Sequence, residues 1–115
     1  MDGDHFKDLF NKASQGDAEA QYKLGTNYYN GGNITEKDFE KAVYWFERAA
    51  DQGYAQAQYN TGVFYYNGYG VDQDIDEAIY WFKKAAKQKF EEAVNILESL
   101  GYDIDEDENY YDGNQ

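Results

Sequence analysis

The chain has 115 residues, no cysteine and no proline, and a formal net charge of −13 at pH 7. The lack of cysteine excludes disulfides, a thiolate nucleophile and cysteine-ligated metals, and the acidic balance disfavours nucleic acid and anionic membranes as direct ligands. The length predicts one domain, and we expect a cytoplasmic protein because charged residues interrupt any apolar run at the amino terminus.

Apolar residues recur at helical spacing along most of the chain. They predict helices over residues 4–14, 18–30, 38–51, 54–67, 75–88 and 90–100. The strongest pattern lies in the third helix, where apolar residues stand at offsets 0, 3, 4, 7 and 8 from Ala42. Six amphipathic helices without a strand pattern predict an all-α domain.

Capping residues mark several helix ends. Asp17 and Asp74 are predicted to cap the second and fifth helices, and Thr35 and Asp38 offer overlapping caps for the third. Gly53 stands where a glycine would end the third helix.

Two stretches of sequence occur twice. The segment AEAQYKLGTNYYNG at 18–31 returns as AQAQYNTGVFYYNG at 55–68, and AVYWFERAA at 42–50 returns as AIYWFKKAA at 78–86. A period in the mid-thirties with two helices per unit indicates a helical solenoid. We therefore predict a short right-handed α/α solenoid of antiparallel helix pairs over residues 1–101. Two full units are flanked by single helices, and a flexible acidic tail follows at 102–115.

Small and aromatic residues at equivalent places predict how the helices pack. A glycine inside a helix costs about 1 kcal/mol relative to alanine, so Gly25 and Gly62 predict close packing that offsets this cost. Aromatic pairs are expected to fill the layer between helices, and these are Trp45, Phe46, Trp81 and Phe82.

The repeated residues resemble the Sel-one-like repeat (SLR), a relative of the tetratricopeptide repeat, whose unit is roughly AxAQxxLGxxYxxGxGVxxDxxKAxxWFxKAAxQG. The second unit matches at Ala55, Ala57, Gln58, Gly62, Tyr65, Gly68, Gly70, Val71, Asp74, Ala78, Trp81, Phe82, Lys84, Ala85, Ala86 and Gln88, and the first at most equivalent positions. Departures are Asn33 and Lys89 for glycine, Thr61 for leucine and Glu77 for lysine. The resemblance implies a non-catalytic scaffold that binds proteins or peptides.

The sequence offers little for catalysis or metal binding. His5 is the single histidine and lies near a helix end that we expect to fray. The runs Asp72-x-Asp74-x-Asp76 and Asp103-x-Asp105-x-Asp107 imitate calcium loops, but both lack the glycine at loop position 6 and the glutamate at position 12. We predict no enzymatic activity, no cofactor and no metal.

Acidic residues and tyrosines in the centre of the chain suggest a binding surface. Residues 49–82 hold five acids and no base. Tyrosines make good contact residues at low entropic cost, and carboxylates can pair with Arg and Lys of a partner. The predicted partner-binding residues are Asp51, Tyr54, Tyr59, Tyr66, Tyr69, Asp72, Asp74, Asp76, Glu77 and Tyr80. The alternative is that most of these rings pack between units with only their hydroxyls exposed.

These features predict a non-enzymatic protein–protein interaction protein. Our main hypothesis is a small acidic inhibitor or immunity protein that binds and occludes a basic partner, such as a nuclease toxin. The alternative is an SLR adaptor that links components of a signalling or stress-response complex. In both cases the expected partner is a protein rather than nucleic acid or a membrane, and the chain itself is expected to be a monomer or a weak dimer.

Overall fold

The computed structural model describes residues 2–31 and 36–103. Within these residues the chain forms only helices, and the six are α1 (Asp2–Ser14), α2 (Ala18–Asn30), α3 (Phe39–Asp51), α4 (Ala55–Asn67), α5 (Ile75–Lys87) and α6 (Glu91–Ser99). Each helix packs against the next one along the chain. Two helix pairs, α2–α3 and α4–α5, are flanked by α1 and α6, which confirms the predicted solenoid.

The helix bounds agree with the sequence patterns to within two residues. Asn33, Thr35 and the predicted tail beyond Asp103 lie outside the described residues, so the tail and the Thr35 cap stay predictions. No helix in the described part of the chain is long and apolar enough to cross a membrane.

Aspartates cap three helices as predicted. The side chains of Asp17, Asp38 and Asp74 each accept a hydrogen bond at 3.0 Å from the backbone N–H three residues later. The other two caps are aromatic: Tyr54 and Phe90 precede α4 and α6 without a side-chain cap bond. Their rings instead pack against the neighbouring core clusters.

The paired helices approach so closely that a phenylalanine ring lies on a glycine backbone in each unit. A Cβ atom at Gly25 would lie 2.6 Å from Cδ1 of Phe46, and one at Gly62 would lie 2.6 Å from Cδ1 of Phe82. Both rings are almost fully buried. The predicted close packing is therefore confirmed, and these two contacts fix the spacing within each unit.

The core differs from the predicted one in α4. Both tryptophans are buried as expected, but Phe64 is also buried, with its ring centroid 5.5 Å from that of Phe46 and 5.7 Å from that of Phe39. The next residue, Tyr65, which matches the repeat pattern, is only partly buried. The Phe64 ring thus packs between the units, against Phe39 and Phe46 of the first.

Glutamine side chains connect successive helices, and two of them, Gln21 and Gln58, are buried. The Gln52 side-chain amide donates to Gly16 O at 2.8 Å and to Oε1 of Gln21 at 3.0 Å, and the amide of Gln21 donates to Ala13 O at 3.0 Å. The equivalent bonds one unit later run from Gln88 to Gly53 and Gln58 at 2.8 and 3.0 Å, and from Gln58 to Ala50 at 3.3 Å. The first bridge therefore joins α1 to the first unit. The second bridge fixes how the second unit sits on the first.

Thr61 provides a test of this packing, because its side chain is fully buried and its Oγ1 has no hydrogen-bond partner among the described residues. Leu24 occupies the equivalent place in the first unit. An unpaired buried hydroxyl costs about 1–3 kcal/mol. We expect Thr61→Val to raise the free energy of unfolding in urea by about 1 kcal/mol with an unchanged m value.

The control is Thr26→Val, because the Thr26 hydroxyl donates to Tyr22 O at 3.1 Å. This variant should not gain stability. A loss of stability in Thr61→Val would show that the buried hydroxyl has a partner, and would contradict the assignment.

Candidate protein-binding surfaces

Two open depressions contain six of the ten residues predicted to bind a partner. One lies between the second helices of the units, α3 and α5, and we call it the acidic depression; its residues are Glu47, Asp51, Asp74, Asp76, Glu77, Tyr80 and Trp81. The other lies between the first helices, α2 and α4, and we call it the amide groove; its residues are Tyr22, Thr26, Tyr29, Asn30, Phe46, Gln56, Tyr59, Asn60, Val63 and Phe64.

The acidic depression, of about 520 Å³, brings together half of the predicted binding residues. Asp51 comes from the last turn of α3, and Asp74, Asp76 and Glu77 come from the start of α5. Acidic residues stabilise the amino-terminal end of a helix because their negative charge complements the helix dipole. Tyr80 lies one turn further along α5 with half of its surface exposed.

Two of these carboxylates have structural roles. The Asp74 side chain caps α5 by accepting from the backbone N–H of Glu77 at 3.0 Å. Glu77 in turn accepts from Nε1 of Trp81 at 3.1 Å, and this bond explains why an acid is compatible with the position where the repeat pattern has lysine. Among the predicted acids of the depression, Asp51 and Asp76 have neither of these two roles, and both are exposed.

Glu47 also lines the depression, but it was not among the residues predicted from the sequence. The Tyr65 hydroxyl donates to its carboxylate, with Oε1 at 3.4 Å. Burial and the neighbouring Asp51 and Glu77 carboxylates raise the pKa of Glu47, while the Tyr65 bond lowers it in part. Burial, followed by the Glu47 charge, raises the pKa of Tyr65 to about 12. No apolar spacing signals this pair, because both side chains are only partly buried.

The remaining predicted residues do not join the depression. Tyr54 packs on Tyr22, with ring centroids 5.3 Å apart. The ring of Tyr66 lies 6.4 Å from that of Phe82. Asp72 is exposed in the loop before α5 and does not line the depression.

Two further tyrosines also lie elsewhere. Tyr69 packs on Phe39 and Phe64, at 5.0 and 5.5 Å between ring centroids. Tyr59 lines the amide groove and contacts the ring of Phe82 at 5.7 Å. The predicted set is thus divided between two surfaces and the packing between units, and its role in binding stays a prediction.

The amide groove, of about 350 Å³, has no charged residue among the described residues that line it. Its floor is formed by Phe46 and Phe64, which are 1% and 3% exposed, and its walls by the rings of Tyr22, Tyr29 and Tyr59. An uncharged surface of this kind contrasts with the net charge of −13 on the whole chain.

Comparison of the two units explains the lack of charge. Gln56 and Asn60 stand 37 residues after Glu19 and Lys23, which form an exposed ion pair at 3.4 Å. The second unit therefore replaces an ion pair by two neutral amides. Neither amide forms a hydrogen bond with another side chain or with the backbone in the described part of the chain. Neither residue was among those predicted to bind a partner. A position-by-position comparison of the two units would have shown that they replace a charged pair.

The acidic residues do not form a metal centre of the usual kind. Across residues 2–31 and 36–103, no group of three or more His, Cys, Asp or Glu side chains is arranged to hold a metal ion.

The raised pKa of Glu47 predicts an effect on stability that depends on pH. A carboxyl group whose pKa is higher in the folded state destabilises the fold when it is ionised, and this cost disappears once the pH falls below its ordinary value of 4.5. Glu47→Gln keeps an acceptor for Tyr65 and removes the charge. We expect a higher urea midpoint at pH 7, with a gain that vanishes below about pH 4.

Glu98→Gln is the matched control, since Glu98 is exposed on α6. This variant removes one negative charge, as Glu47→Gln does, but from an exposed position. Equal gains in the two variants would mean that net charge alone, and not the burial of Glu47, causes the effect.

Comparison with known proteins places the fold in a family. The sequence pattern of the Sel1 repeat matches residues 18–54 and 55–90, which together form more than half of the chain. A comparison with curated protein sequences found no match.

Solved structures give the same result. The Sel1 repeat protein from Oxalobacter formigenes is 37% identical with a TM-score of 0.76, and the match covers 80% of this chain and 26% of that one. The protein c5321, a protective antigen of uropathogenic Escherichia coli with an SLR fold, is 43% identical with a TM-score of 0.73, and the match covers 87% and 22%. Helicobacter pylori cysteine rich protein B (hcpB) is 26% identical with a TM-score of 0.78, and the match covers 84% and 72%.

The chain thus spans about a quarter of the length of the first two of these proteins. Sel1 repeats form a non-catalytic fold that generally serves as a scaffold for protein–protein interaction. The matches to the repeat pattern and to these structures agree over both helix pairs, and the chain belongs to the Sel1 repeat family.

Proposed function

We propose that this chain is a non-catalytic adaptor that holds an extended segment of a partner protein in the amide groove. The observation that carries the proposal is the pair of neutral amides, Gln56 and Asn60, in an uncharged and open groove of a strongly acidic protein. Membership of a family of protein-binding scaffolds supports the same function.

The groove has the chemistry that an extended segment needs. A side-chain amide offers both donors and an acceptor, so Gln56 and Asn60 can pair with the peptide groups of a bound chain. The phenylalanine floor offers apolar surface for one of its side chains. Because the walls and floor are already packed within the solenoid, binding costs little ordering of the groove.

The inhibitor hypothesis is the second candidate, and the acidic depression is the observation that favours it. Exposed carboxylates of Asp51 and Asp76 beside the half-exposed Tyr80 would suit a basic partner. Family membership supports an adaptor better than an inhibitor or immunity protein. The basic character of the partner, the cytoplasmic location and the monomeric or weakly dimeric state remain predictions.

The test is a selection of random linear peptides on phage against the folded chain, followed by fluorescence anisotropy with an enriched peptide. The double variant Gln56→Ala/Asn60→Ala should weaken binding roughly tenfold, because each lost hydrogen bond costs about 0.5–1.5 kcal/mol. Binding should change little between low and high salt, since no charge lines the groove.

Two control variants separate the candidates. Asn95→Ala removes an exposed amide from α6 and should leave the affinity unchanged. Asp51→Asn/Asp76→Asn removes the two exposed charges of the acidic depression that have no structural role, and should also leave the affinity for the peptide nearly unchanged. The adaptor proposal fails if the double amide variant binds normally, and a loss in the aspartate variant with steep salt dependence would support the inhibitor hypothesis instead.

A further inference from the structure

We infer that the amide groove selects a neutral, proline-containing segment in the polyproline II conformation. This inference rests on the proposed function, because it names the class of segment that the adaptor would hold. Four features of the groove support it: the aromatic walls, the hydrogen-bond donors, the length and the lack of charge.

Fixed aromatic rings form the sides of the groove. Tyr29 stacks on Phe39, with centroids 5.6 Å apart and ring planes inclined by 18°. The ring centroid of Tyr22 lies 5.8 Å from that of Phe46. The ring of Tyr59 packs against those of Phe82 and Phe90. Rigid aromatic surfaces separated by a groove are what proline rings pack against in proteins that recognise polyproline II segments.

The hydrogen-bonding groups of the groove fit the same ligand. A polyproline II segment has no internal hydrogen bonds, so its carbonyl groups need donors, while its prolines offer no N–H. The groove supplies side-chain N–H groups from Gln56 and Asn60 and hydroxyls from the tyrosines. A helical ligand satisfies its own backbone and would leave these donors unpaired.

The length of the groove agrees with the length of a polyproline II segment. Along α4, Gln56 and Phe64 mark the two ends of the groove. They are eight residues apart, which corresponds to roughly 12 Å of helix. One turn of polyproline II contains three residues and is about 9 Å long. The groove therefore accommodates about one turn of such a segment.

Charge complementarity selects a neutral segment. An acidic segment would be repelled by the net charge of −13. A basic segment would be attracted to the chain at long range by the same net charge, but it would find no carboxylate to pair with in the groove, since Gln56 replaces the glutamate that stands at this place in the first unit. Proline and small apolar residues carry no charge and meet neither penalty.

The test is a titration of the isotope-labelled chain, followed by NMR, with a twelve-residue peptide of four Pro-Pro-Ala triplets. We expect the peptide to shift the side-chain amide signals of Gln56 and Asn60. Gln56→Ala/Asn60→Ala should lower the affinity roughly tenfold, the combined effect of two hydrogen bonds, and Asn95→Ala should not change it.

Tyrosine variants test the aromatic walls. Tyr29→Ala should weaken binding at least as much as the amide variant, while Tyr44→Ala is the matched control, because Tyr44 has similar exposure but lies on α3. Thermal unfolding of each variant identifies any loss of binding that comes from misfolding. If Tyr29→Ala misfolds, the test rests on the variants of the partly buried amides Gln56 and Asn60.

Glycine–serine and alanine-rich helical peptides of the same length complete the design. The inference is overturned if either binds the groove as well as the proline peptide, or if the proline peptide shifts only signals outside the groove. Should phage-selected peptides without proline occupy the groove, the inference fails and the proposed function stands. Should no peptide of any class perturb the groove, both fail.

Discussion

The contact between a phenylalanine ring and a glycine backbone sets the geometry of this protein. It occurs once in each unit, between Gly25 and Phe46 and between Gly62 and Phe82, and a Cβ at either glycine would lie 2.6 Å from the facing ring. The side-chain amides of Gln58 and Gln88 then join the second unit to the first through Ala50 O and Gly53 O. In α6 the equivalent position is occupied by Glu98, which is exposed, so this type of contact does not recur there.

The candidate binding surface depends on the same contact. Phe46 packs on Gly25 with one side and forms part of the floor of the amide groove with the other. A change in the spacing of α2 and α3 would therefore change the groove as well. The acidic depression arises differently, because the chain brings the end of α3 beside the start of α5. The two surfaces share a scaffold but differ in charge.

Sequence patterns predicted the parts of the structure that depend on local spacing. The helices, the aspartate caps and the role of Gly25 and Gly62 follow from residues within one turn or one repeat unit. The position of each tyrosine could not be predicted, because the rotation of α2 against α4 decides whether a ring such as Tyr59 or Tyr69 faces a groove or the packing. The Glu47–Tyr65 bond joins two helices through partly buried polar groups, and neither periodicity nor motif signals it.

The most direct test of the central contact is the free energy of unfolding of Gly62→Ala. Alanine is about 1 kcal/mol better than glycine within a helix, so without a close approach this change would stabilise the protein. The account predicts a loss of stability, partly recovered when Phe82→Leu is added, because a smaller side chain relieves the clash. An increase of about 1 kcal/mol in Gly62→Ala would contradict it.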